Sequence, residues 1–312
     1  MISPLISSTD VAAKRRIAAV GVFDGVHLGH RFLMRELCRI GHERGMEPVA
    51  VTFVNHPLEI VAPEKAPERL LSVEERCDRL RQAGATDVVL LRFTPELCAM
   101  TAAEFMAMLH CDYSVDALLL GFNNRIGSDG PYTLEEYRRQ GVDAGLEVIG
   151  APEYAGSGAP VSSSLVRRLV AAGDVAGACG KLGYHYVVSG SVVNGRRLGR
   201  TIGFPTANVE PGDHSAVMPA CGVYAAYAAV DGREWPAMVN IGRRPTVDVP
   251  DAPMSVEANL IGFEGDLYGR RIDLRLIERI RDERRFGSVD ELAAQLSHDR
   301  DVCLGILGRG IK

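Results

Sequence analysis

The chain has 312 residues, of which 46% are hydrophobic and 24% charged, a length and composition that fit about two globular domains. Lys+Arg total 35 and Asp+Glu 40, and the resulting net charge of −5 argues against a nucleic-acid binder that works by bulk charge. Apolar runs such as Ile17–Phe23 fall far short of the ~20 residues of a membrane helix, and Met1–Arg16 carries its basic cluster after its mildly apolar part, unlike a secretory signal.

In chain order, the first half alternates short β-rich runs with amphipathic stretches. Strands are predicted at Ile17–Phe23, Pro48–Phe53, Asp87–Phe93, Asp116–Phe122 and Leu146–Gly150. Helices are predicted between them at Arg31–Arg44, Val73–Gln82, Ala102–Leu109 and Leu134–Ala144. Ser72 with Glu75, and Thr101 with Glu104, have the spacing of capping boxes. Such alternation implies βαβ units and a parallel sheet.

After about Gly183 the pattern changes. Tyr186–Val193, Val223–Val230, Glu234–Ile241, Val256–Phe263 and Arg271–Ile280 follow one another with turn signals at Asn194-Gly195, Asp231-Gly232 and Glu264-Gly265. This predicts a small antiparallel barrel, with Val289–Leu307 as a closing helix. The expected division is 1–183 and 184–312. The seven cysteines are scattered, with none in a CxxC pair, which fits reduced thiols in a cytoplasm better than disulfides or structural zinc.

Between the first strand and the first helix runs Gly21-Val22-Phe23-Asp24-Gly25-Val26-His27-Leu28-Gly29-His30. Its glycines permit close backbone approach, and its two histidines sit where a helix N-terminus offers free N–H groups to phosphate. A tight turn with two surface histidines is the plainer reading of the same letters. Neither GxxxxGK[ST] nor GxGxxG occurs in the chain. Further on, Val161-Ser162-Ser163-Ser164-Leu165-Val166-Arg167 supplies hydroxyls, N–H groups and a guanidinium, either for phosphates or simply as a helix cap with a surface arginine.

The first string resembles the HIGH-type nucleotidyltransferases, in particular the N-terminal module of prokaryotic bifunctional FAD synthetases. Thr52–Pro57, Gly121–Gly127 and Val161–Arg167 extend the match. The resemblance implies a Rossmann-like α/β fold and adenylylation of FMN by ATP. It also implies catalytic roles for His27 and His30, and nucleotide binding by Gly21, Phe23, Asp24, Gly25, Gly29, Ser162, Ser163, Ser164 and Arg167. Asn123 and Gly127 would then face the flavin. Three positions depart from the pattern: Asn124 and Ile126 stand where aromatic residues are usual, and Leu58 where arginine is frequent. The expectation is a weakened flavin side, with FMN accumulating.

The second string is Gly199-Arg200-Thr201-Ile202-Gly203-Phe204-Pro205-Thr206-Ala207-Asn208. Thr206 and Asn208 put neutral oxygens two residues apart, a set that suits Mg²⁺ beside a nucleotide, although a turn entering a strand reads the same way. The string resembles the riboflavin kinases, as do Gly222–Tyr224, Asn240–Thr246, Ser255–Glu257, Asp266–Gly269 and Arg281–Phe286, in that order. The resemblance implies that Gly199, Arg200, Gly203 and Pro205 bind nucleotide, that Thr206 and Asn208 hold Mg²⁺, that Glu257 is the general base toward riboflavin, and that Arg281 serves the flavin. The substrates would be riboflavin, FMN and ATP, with no obligate protein partner. Two alternatives stay open: a riboflavin kinase with a degraded or regulatory N-terminal domain, and a non-enzymatic flavin-binding protein.

Overall fold

The computed structural model describes residues 15–121, 124–130, 132–156, 161–194, 203–212, 215–243 and 254–308. The chain forms two compact units, one through Ser163 and one from Ser164 onward. The division expected between 183 and 184 lies later in the chain.

The first unit contains β1 (Arg16–Val20), α1 (Leu28–Arg44), β2 (Glu47–Phe53), α2 (Leu58–Val61), α3 (Val73–Gln82), β3 (Asp87–Leu91), α4 (Pro95–Ala99), α5 (Ala102–Tyr113), β4 (Val115–Leu120), α6 (Leu134–Asp143) and β5 (Glu147–Gly150). All five strands are parallel, in the order β3-β2-β1-β4-β5. Alternation along β1 divides the core. Ile17 and Ala19 face one apolar layer with Leu33, Leu37 and Leu80, from α1 and α3. Ala18 and Val20 face the other with Phe105, Met106 and Leu109, from α5. Both expected capping boxes form, and Thr133 with Glu136 makes a third at the start of α6. The strand order reverses between β1 and β4. In open α/β sheets that reversal opens a crevice at the carboxyl ends of the strands, where ligands bind.

The second unit begins with α7 (Ser163–Ala171, whose first residue closes the first unit) and α8 (Val175–Leu182). Then come β6 (Val187–Val193), β7 (Ala207–Pro211), β8 (Gly222–Val230), β9 (Arg233–Arg243), β10 (Met254–Leu260), β11 (Arg271–Arg281) and α9 (Val289–Gly308). The strands close a barrel in the order β10-β7-β6-β11-β8-β9. Asp231 and Gly232, at φ 50° and 75°, turn β8 into β9 with the left-handed pair that a two-residue hairpin needs. On the outer face, Ala225 and Met238 pack with Phe204 and with Cys303 and Leu307 of α9.

Candidate active sites

The turn from β1 to α1 lies at the carboxyl end of β1, beside the point where strand order reverses. Gly21 N–H donates to the Val51 carbonyl at 3.0 Å, and the buried Thr52 hydroxyl donates to the Val22 carbonyl at 3.0 Å. The Asp24 carboxylate is buried and accepts the backbone N–H groups of Leu70 and Leu71. The Ser163 hydroxyl donates to the Asp24 carbonyl at 2.8 Å. Phe23, Gly25 and Val26 all have left-handed φ, at 51°, 80° and 34°. For Phe23 and Val26 this is strained backbone, costing about 1–3 kcal/mol each, and burial of both side chains in the core holds it.

This turn brings the two histidines together. His27 is the N-cap of α1, and its Nδ1 accepts the His30 backbone N–H at 3.3 Å. The rings stack with centroids 3.6 Å apart, and the Phe23 ring meets His30 edge-on at 5.2 Å. Burial lowers the His27 pKa to about 4. Burial and the neighbouring His27 also push His30 well below its usual value. His27 is therefore neutral at pH 7 and carries its hydrogen on Nε2, because Nδ1 is an acceptor. A Cβ on Gly29 would lie 3.3 Å from the His27 ring, so that glycine makes room for the imidazole.

The loop expected to face the flavin is held by its own contacts. Asn124 donates its Nδ2 hydrogen to the Val20 carbonyl at 2.8 Å, tying the loop after β4 to the end of β1. Ile126 is buried, and its N–H and carbonyl both bond the Tyr137 hydroxyl, at 2.9 and 3.1 Å. Both residues at the departing positions are therefore tied into the fold of this unit. At Gly127, φ is 87° and a Cβ would lie 2.3 Å from the Ala102 nitrogen, which accounts for the glycine without a ligand. Asn123 lies outside the described residues. Ser162 precedes α7, and Ser164 and Arg167 belong to it. Arg76 was not singled out by the sequence. It is buried, donates to the Phe53 carbonyl, and feels the charge of Asp24. The available signal was a cation on the apolar stripe of α3, between Val73 and Leu80.

In the barrel, Glu257 stands directly opposite Asn208 of β7 on one side and Asn240 of β9 on the other. Side chains directly opposite share a face, so the three form a polar row. Their neighbours Val256 and Ala258 are buried, and the row faces outward. The Thr206 hydroxyl donates to Glu257 Oε2 at 3.3 Å. The segment before it is pinned: Phe204 enters the apolar cluster under α9, and the Pro205 carbonyl accepts Asn259 Nδ2 at 2.7 Å. Gly203, at φ 79°, has nothing within 4 Å of a would-be Cβ and serves the turn. The hydroxyl oxygen of Thr206 and the carboxamide oxygen of Asn208 are hard donors that fit Mg²⁺, and the Glu257 carboxylate stands beside them. Gly199 and Arg200 lie outside the described residues. The Arg281 guanidinium is committed to the buried Asp299 of α9, with nitrogen–oxygen distances of 2.7–3.0 Å.

Comparison with known proteins gives both units a family. Residues 10–165 match the FAD synthetase family model, and residues 182–307 match the riboflavin kinase model. The chain is 37% identical over 287 residues to the bifunctional riboflavin kinase/FMN adenylyltransferase of Escherichia coli K12, covering 91% of this chain and 90% of that one. The chain belongs to this family. The Bacillus subtilis member is 32% identical over 293 residues, covering 93% and 92%. A solved structure described as a macrolide-efflux protein from Streptococcus pneumoniae superposes with a TM-score of 0.85 at 31% identity, covering 94% of each chain. Among the described residues of the present chain, no helix is long and apolar enough to cross a membrane. Family membership joins the α/β nucleotidyltransferase fold and the riboflavin kinase barrel in the order expected from the sequence.

Proposed function

We propose that the chain makes FAD in two steps, each in its own unit. The barrel transfers the γ-phosphoryl group of ATP to riboflavin, giving FMN and ADP. The α/β unit joins FMN to the adenylyl group of a second ATP, giving FAD and pyrophosphate. The observation that carries this reading is the pairing of two distinct polar constellations, one in each unit, with the two family matches.

In the barrel, Glu257 accepts the proton of the riboflavin 5′-hydroxyl as that oxygen attacks the γ-phosphorus. The Thr206 hydroxyl orients the carboxylate. Thr206 and Asn208 would hold Mg²⁺, which when bound neutralises phosphate charge. In the α/β unit the FMN phosphate attacks the α-phosphorus of ATP, and pyrophosphate leaves. His27 donates from Nε2 as a neutral imidazole, and the N–H groups at the start of α1 add to the field on the developing charge. Asp24, Phe23, Gly25 and Ser163 act by holding the turn in shape, and Gly21 and Gly29 by keeping side chains out of its way. The seven free thiols support a reducing, cytoplasmic setting.

The test is incubation of the purified chain with riboflavin, Mg²⁺ and ATP, with FMN and FAD followed by chromatography. Both products are expected, in that order. FMN without FAD at any FMN concentration would leave only the kinase, and no change in riboflavin would remove both activities. The flavin-binding alternative needs neither Glu257 nor the histidines. A degraded N-terminal domain drew its support from Asn124 and Ile126, and both are accounted for by the fold.

A further inference from the structure

Glu257 has two direct neighbours across the ladder, and the proposed chemistry uses only one. Asn208, on β7, lies on the side of Thr206, where the hard oxygen donors gather. Asn240, on β9, lies on the opposite side, with its Cβ ~4.5–5.5 Å from that of Glu257 as ladder geometry requires. Asn240 is partly exposed, on the same outward face. The next residue along the row is Val223 of β8, apolar and buried. Asn240 is thus the last polar group in contact with Glu257 before the row is interrupted by an apolar residue, with Arg281 of β11 beyond it.

In-line transfer places the attacking oxygen between its base and the phosphorus. With phosphate and cation on the Asn208 side of Glu257, the remainder of the alcohol must leave on the other side, past Asn240. The body of the alcohol is a polyol chain, and a carboxamide can both donate to and accept from its hydroxyls. We propose that Asn240 is a specificity-determining residue of the kinase, hydrogen-bonded to a ribityl hydroxyl other than the one phosphorylated. It reads the substrate as a polyol and sets the attacking oxygen's distance from Glu257. This inference rests on the reading of Glu257 as the base.

The experiment measures kinase kcat/KM on the full chain with riboflavin and with its 2′-, 3′- and 4′-deoxy analogues, all of which keep the 5′-hydroxyl. The parent should prefer riboflavin over at least one analogue by about 2- to 12-fold, the span of one net hydrogen bond. In Asn240→Ala that preference should fall to near one, through loss on riboflavin and little change on the analogue. Asn240→Ser, a shorter donor, should restore part of it. A merely structural residue would slow all substrates alike. Equal losses on riboflavin and on every analogue, or a parent with no preference, overturns the proposal. Retained turnover of the deoxy analogue, which is phosphorylated in the same barrel, verifies that the barrel of each variant is folded. Glu257→Gln run alongside separates the two readings: full activity there removes the base, whatever Asn240 does.

Discussion

The Nδ1 of His27 accepts the backbone N–H of His30 at 3.3 Å, while the two imidazole rings lie parallel 3.6 Å apart. The first contact requires an unprotonated Nδ1, and the second disfavours two positive rings. Cap, stack and burial all hold the pair neutral.

A pH dependence of stability follows. The unfolded His27 takes a proton near 6.5, but the folded one only near about 4. Because the folded value is depressed, the stability this residue contributes is full above 6.5 and is lost as pH falls toward 4. At 1.36 kcal/mol per pH unit the loss reaches up to about 3 kcal/mol. Urea unfolding between pH 7.5 and 4.5 should show a flatter profile for His27→Asn, which keeps a capping oxygen but does not titrate. Parallel profiles would show that His27 is not the titrating group.

Gly29→Ala should separate stability from activity. Alanine in a helix is favoured over glycine by about 1 kcal/mol. Its Cβ would nonetheless press on the His27 ring at 3.3 Å. A displacement of about 1 Å can cost on the order of 10²-fold in rate, so a shift of a few tenths should slow FAD formation by roughly 10-fold. FMN formation should be unchanged. Unaltered FAD formation, with thermal stability equal or higher, would mean that the position of the ring is unimportant.

Glu257→Gln keeps the shape of the carboxylate and removes the proton acceptor. Riboflavin phosphorylation should fall by ~10²–10⁴-fold, with adenylylation of supplied FMN intact. Thr206→Val leaves the base but removes both its hydrogen bond to Glu257 and one of the two oxygens proposed for Mg²⁺, so its loss should shrink as Mg²⁺ is raised, and that of Glu257→Gln should not. A Glu257→Gln loss that excess Mg²⁺ relieves would reverse the assignment.

The Arg281–Asp299 pair joins the end of β11 to α9, and Asp299 is fully buried. Removing one partner strands a charge: Asp299→Ala should cost about 3–5 kcal/mol in chemical denaturation. The apolar double replacement Arg281→Met with Asp299→Leu should recover most of that loss. Additive losses in the double variant would contradict the strong coupling.

The kinase unit should depend on the helices before it. Val175, Ala178 and Leu182 of α8 are fully buried, and Gly173 lets the turn before α8 approach the Tyr224 hydroxyl. Burial of a large apolar side chain contributes about 2 kcal/mol. Residues 164–312 should therefore fold and phosphorylate riboflavin, and residues 184–312 should be less stable by several kcal/mol. Equal midpoints for the two fragments would place the functional boundary at 183.

Much of this was legible in the sequence because local and tertiary preferences agree. The run Val73–Gln82 matches α3 to the residue, since Ser72 and Glu75 cap it and Cys77 and Leu80 define its buried apolar face, with the partly buried Val73 packed beside them. The sequence pattern starts α1 at Arg31 and the helix begins at Leu28, because histidine is not a usual cap and only the folded turn brings its Nδ1 to that use. Strand β7 escaped notice: Pro205 and Pro211 bracket it and Glu210 interrupts it, so only pairing to β6 and β10 makes it a strand. The inward turn of Asn124 and Ile126 was not readable, since their partners Val20 and Tyr137 are set by the fold. The row at Glu257 needed strand register, which a sequence does not carry.

Strand β10 carries Val256 and Ala258 toward the barrel interior and Glu257 away from it. Its two faces are therefore locked to a single reading frame. Deleting or inserting one residue there would carry the carboxylate into the apolar interior and the valine out to solvent. The strand should tolerate conservative exchanges on either face and no change in length, so natural variation in the length of this unit should collect in its loops.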